Sequence, residues 1–69
     1  MKEFDLENHD FIALNQLMKL LNWVESGGEA NLRIDNGEVI VNQVVEIQRR
    51  KKLRKGDKIE FNDQIIVIK

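Results

Sequence analysis

The chain is 69 residues long, 42% hydrophobic and 33% charged, with a net charge of −1 and no cysteine. That length allows one small domain with a compact core, because a chain of about 60 residues buries only about 60% of its unfolded surface. The composition excludes a disordered chain, a disulfide framework and a thiolate metal site, and the apolar runs are too short for a membrane span.

The acidic start Met1-Lys2-Glu3-Phe4-Asp5 is unlike a signal peptide, so a cytoplasmic location is expected. Phe4 and Leu6 alternate with Glu3, Asp5 and Glu7, the period of a short edge strand. Asn8, His9 and Asp10 form a polar cluster able to cap a helix. Phe11, Leu14, Leu17, Met18 and Leu21 then follow at helical spacing, widened by Ile12 and Leu20. The first helix is expected from about Phe11 to Leu21, closed by Trp23 and Val24. Ser26-x-x-Glu29 matches a capping box, in which the serine hydroxyl accepts from the N–H at position 29 and Glu29 reaches back to that of Ser26. Gly27 and Gly28 are poor helix formers, and their use is read as steric: a partner can approach the helix start closely. Ala30 and Ile34 face the core with Leu32 at its margin, and Asn36-Gly37 stops the second helix with a left-handed residue.

Strands are expected over Glu38-Val39-Ile40-Val41 and Val44-Val45-Glu46-Ile47, joined by an Asn42-Gln43 turn. Two more, Lys58-Ile59-Glu60-Phe61 and Gln64-Ile65-Ile66-Val67-Ile68, flank the turn-prone pair Asn62-Asp63 as a hairpin. The predicted fold is α+β: two helices packed on a small, mostly antiparallel sheet, in the order β-α-α-β-β-β-β. Residues 1–69 are read as one domain.

The small net charge conceals an asymmetry. From Met1 to Asp35 seven acids oppose three bases, whereas from Arg49 to Lys58 seven bases oppose only Asp57. Six of those bases, Arg49, Arg50, Lys51, Lys52, Arg54 and Lys55, fall within seven residues and are interrupted only by Leu53. If Leu53 turns inward as an anchor, the loop displays roughly four of the six outward. Arginine pairs bidentately with phosphate, and a cluster this dense supplies most of the sequence-independent affinity for nucleic acid.

Taken in order, Ser26-Gly27-Gly28-Glu29-Ala30, Ile34, Gly37-Glu38-Val39-Ile40-Val41-Asn42 and Leu53-Arg54-Lys55-Gly56-Asp57 resemble the S-four RNA-binding domain, named for small-subunit ribosomal protein four. The likeness is closest to the small stand-alone bacterial members and covers about Leu14 to Phe61. It implies a domain that binds structured RNA with its second helix and the loop leading to Gly-Asp. Carried over by position, the contacts would be Ser26, Gly27, Gly28, Asn31, Arg33, Arg49, Arg50, Lys51 and Lys52. The sequence departs from the family at Asn31, where a basic residue is usual, at Gln43, where glycine is usual, and at Gln48, Arg50 and Lys55. A base is therefore lost from the helix and charge is gained in the loop, which shifts the weight of RNA binding to the loop, with Arg54 and Lys55 added to the set.

No catalytic residue, cofactor or metal site is expected. His9 has no partners at ligand spacing and reads as a helix-entry residue. Trp23 follows an apolar stripe and reads as partly buried core, although an aromatic face can also stack on a base. Asp57 reads as a turn residue beside Gly56. The expected partner is structured RNA, ribosomal or transfer, bound by a monomer, with ribosomal proteins as possible neighbours and no membrane. The rival reading is a protein-interaction module that docks an acidic partner through the same loop.

Overall fold

A computed structural model describes residues 2–69; Met1, at the head of the acidic start, lies outside them. The elements are β1 (Lys2–Phe4), β2 (Ile12–Ala13), α1 (Leu14–Leu20), α2 (Gly27–Asp35), β3 (Val39–Val41), β4 (Val44–Val45), β5 (Lys52–Leu53), β6 (Lys58–Phe61) and β7 (Gln64–Ile68). Five strands make one sheet in the order β1-β7-β6-β3-β4, and β2 and β5 form a separate antiparallel pair. Within the larger sheet only β1 and β7 run parallel. The α+β arrangement of two helices against a mostly antiparallel sheet is the one expected. Two extra short strands change its element order.

Alternation decides which sheet face is buried. Val39, Val41, Ile59, Phe61, Ile66 and Ile68 are buried, and they meet Leu14, Leu17 and Met18 of α1 and Ala30 and Ile34 of α2 in one cluster. Trp23 is half-buried against this cluster, its ring tilted on Phe61 at 5.7 Å between centroids, as a core tryptophan would be. The β3–β4 and β6–β7 turns place Asn42 and Gln43 (φ 51° and 70°) and Asn62 and Asp63 (φ 53° and 66°) in left-handed conformations. Two such residues in succession match the right-handed twist of the flanking strands.

The first helix begins three residues later than its apolar spacing predicts. Ile12 and Ala13 are drawn into pairing with Leu53 and Lys52, which extends the backbone there and leaves Phe11 41% exposed. Leu20, at 57%, is exposed as well. The cluster Asn8-His9-Asp10 does not cap the helix: Ala13 stands at the N-cap and makes no side-chain cap bond. Glu7 and Asn8 take left-handed conformations instead, in a turn closed by the His9 N–H donating to the Leu6 carbonyl at 3.0 Å.

At α2 the Ser26 hydroxyl accepts from the Glu29 N–H at 3.1 Å, as expected. The Glu29 carboxylate, however, reaches one residue further back and accepts from the Glu25 N–H at 2.9 Å. Both helices end in the same motif. The Trp23 N–H donates to the Met18 carbonyl across Asn22 (φ 59°), and the Glu38 N–H donates to that of Arg33 across Gly37 (φ 76°). Leu32 is 56% exposed, well outside the core margin assigned to it. β4 stops at Val45, short of Ile47, because the Glu46 carboxylate takes the Gln48 N–H at 3.1 Å and turns the chain into the basic loop.

Candidate nucleic-acid interface

The basic loop is held by its backbone, by Leu53 and by Arg49, which leaves its other cations without an ion pair among the described residues. Leu53 is fully buried, so the inward anchor expected there is present. The Leu14 N–H donates to the Lys51 carbonyl at 2.9 Å and the Asn15 N–H to that of Arg49 at 3.1 Å. The loop thus satisfies amide groups at the start of α1 that no side chain caps. Its far end is closed by Asp57, whose carboxylate accepts from the Arg54 N–H at 2.8 Å and from the Asn42 side-chain amide at 3.0 Å. Asn42 in turn accepts from the Lys58 N–H at 2.9 Å. Asp57 is therefore a structural clasp between the loop and the β3–β4 turn, in keeping with its reading as a turn residue.

The cations are not equivalent. Arg49 forms a bidentate pair with Asp35 at 2.9 and 2.6 Å. Hydrogen bonding to Arg49 holds the Asp35 carboxyl below its ordinary range, and the same bond raises the Arg49 guanidinium further. Arg33 lies 3.3 Å from Glu38 and 3.6 Å from Glu29. Arg50, Lys51, Lys52, Arg54 and Lys55 make no ion pair among the described residues.

Helix α2 lies along α1. A Cβ added at Gly27 would sit 3.8 Å from the Lys19 Cδ, and the Asn15 side-chain amide donates to that of Asn31 at 3.2 Å. Beyond them Asp35 meets Arg49. The expected contacts are thus spread along one helix pair, with Ser26, Gly27 and Gly28 at one end and the basic loop at the other. At 1.5 Å per residue the two ends are about 12 Å apart. The loop docks beside the end of α2 rather than its start, where Glu29 faces Arg33 and Lys19 packs beside Gly27. Asn31 is half-buried and engaged with Asn15.

Two residues escaped sequence reasoning. Asn15 links α2 to the loop, and no motif marks it. Phe11, placed on the apolar stripe by its spacing, emerges beside the loop with the Lys52 ammonium 5.0 Å and the Arg54 guanidinium 5.6 Å from its ring centroid. No cluster of His, Asp and Glu able to hold a metal occurs among the described residues, and no helix is long and apolar enough to cross a membrane.

A family model described as an S4 domain matches residues 4–69. YbcJ of Escherichia coli (strain K12), a candidate RNA-binding protein, is 38% identical over 61 residues, covering 88% of this chain and 87% of that protein. An uncharacterized YbcJ of Shigella flexneri matches to the same extent. The solution structure of YbcJ from E. coli, described as revealing an ALFAL motif involved in RNA binding, superimposes with a TM-score of 0.74 at 34% identity. That match covers 99% of this chain and 86% of the other.

Proposed function

The chain belongs to the S4 domain family, and on that premise we propose that it is a non-catalytic, cytoplasmic RNA-binding module, acting as a monomer on structured ribosomal or transfer RNA. The observation that carries this reading is the loop of five cations with no ion pair among the described residues, pinned by its carbonyls and by Leu53. The likeness to YbcJ, whose structure is described by a motif involved in RNA binding, supports the same class of ligand. A-form RNA hides its base edges in a deep groove, so shape and phosphate contacts would dominate. Ser26, Gly27, Gly28 and Asn31 would add backbone and polar contacts along α2. Arg33 and Arg49 would act more by holding the surface than by neutralising phosphate, because carboxylates already face them.

The test is the salt dependence of binding to a duplex-containing RNA. Five cations that each neutralise a phosphate give a log–log slope of about −4. Replacing Arg50, Lys51, Lys52 and Lys55 by serine, with Arg49 kept to hold the loop, should leave the domain folded, flatten the slope to about −1 and weaken binding at least about tenfold. Parental affinity and slope in that folded variant would overturn the reading. A parental domain that ignores RNA at low salt but captures an acidic polypeptide through the loop would replace it with a protein-docking role.

A further inference from the structure

Phe11, directly before β2, lines a groove of about 510 Å³. Phe4, Leu6, Ile12 and Leu20 give the groove an apolar lining, and His9 and Gln16 bring polar groups to it. An exposed phenylalanine alone is unremarkable. This one differs in carrying two cations: the Lys52 ammonium and the Arg54 guanidinium lie over the ring. Charge is divided across the site. The two cations lie on the Phe11 side, while Asp5 and Glu7 line the groove itself and would repel any phosphate that entered it.

These groups suit an occupant with an apolar face for the Phe11 ring, a hydrogen-bonding edge for His9 and Gln16, no negative charge inside the groove and an anionic group beside Lys52 and Arg54. We propose that the groove takes the base of one unpaired nucleotide, stacked on Phe11, with its phosphate held by Lys52 and Arg54. The proposal rests on the RNA-binding reading and narrows it: the RNA this domain prefers carries an unpaired nucleotide beside its duplex. Stacking on an aromatic ring is sequence-tolerant, so Phe11 supplies affinity for any base. His9 and Gln16 offer the donors and acceptors that would distinguish one base edge from another. In the free protein the cations rest on the ring, and a nucleotide would draw them to its phosphate, where a full negative charge replaces a quadrupole.

The experiment compares a blunt RNA duplex with the same duplex carrying an unpaired extension, bound to the whole chain at one salt concentration. The parental protein should prefer the extended RNA. Phe11→Ala should weaken binding to the extended RNA about tenfold or more, leave the blunt duplex unchanged, and be rescued by Phe11→Trp. The ring protons of Phe11 should shift upfield in nuclear magnetic resonance spectra on adding the extended RNA only. Equal weakening on both RNAs would reduce Phe11 to a support for the loop, and no weakening on either would remove the site; both outcomes overturn the proposal. If the serine variant of the loop loses both RNAs while Phe11→Ala keeps both, the nucleotide site fails and the RNA module stands. If the parental chain binds neither RNA at low salt, both readings fall together. Circular dichroism of Phe11→Ala should match the parent, since the side chain lies outside the buried cluster.

Discussion

Gln43 holds a left-handed backbone (φ 70°) at the second position of the β3–β4 turn, a conformation that disfavours a residue with a Cβ by about 1–2 kcal/mol. Glycine is usual there in the resembling family, and the geometry supplies the reason. Gln43→Gly should raise stability by about 0.5–1 kcal/mol, the relief of strain exceeding the extra freedom glycine has when unfolded. A denaturation midpoint that stays put or falls would refute this. At the same scale, residue type is a poor guide to available charge. Arg49 and Lys51 are neighbours in one basic run, yet the first is clamped bidentately by Asp35 and the second has no ion pair among the described residues.

Among the elements, α2 raises the question of its paired glycines. Cβ atoms at Gly27 and Gly28 would each meet their nearest neighbour at 3.8 Å, an ordinary contact, and neither residue has a positive φ. The folded domain alone therefore gives no reason for glycine at either position. Gly28→Ala should stabilise the helix by up to about 1 kcal/mol, since alanine is the better helix former. If the glycines exist to let RNA approach, the same substitution should weaken RNA binding in a titration. A variant that gains stability and keeps full affinity would remove the steric explanation. The start of α1 teaches the complementary lesson. Its first amide groups are satisfied by carbonyls of a loop more than thirty positions away in the chain, so no local capping signal could have located it.

Over the whole molecule, a 69-residue domain has a stability of about 3–10 kcal/mol. Leu53 is fully buried and is the one member of the basic run that reaches the core. Leu53→Ala should lower stability by about 2–5 kcal/mol, a large share of the total, because removing its methyl groups leaves a cavity. It should also loosen the pairing with Ile12–Ala13, so amide exchange at Leu14 and Asn15 should accelerate beyond the global change. Uniform acceleration across all amides would mean that the loop is not pinned separately. The same topology brings residue 11 and residues 52–54 to one place, through the β2–β5 pair.

The two helices, the strands of the larger sheet, the two hairpin turns, the Ser26 cap and the inward leucine of the basic run were legible in the sequence, because periodicity, turn chemistry and capping act over a few residues. The S-four likeness rested on the same local spacings. What only the tertiary structure decided was which groups meet. Ile12 and Ala13 became a strand because Lys52 and Leu53 offered a partner, Arg33 and Arg49 lost their free charge to carboxylates brought close by the fold, and Phe11 left the core to stand beside two loop cations. Each outcome depends on contacts between segments distant in the chain, and apolar spacing at Phe11 reads the same whether the ring is buried or exposed.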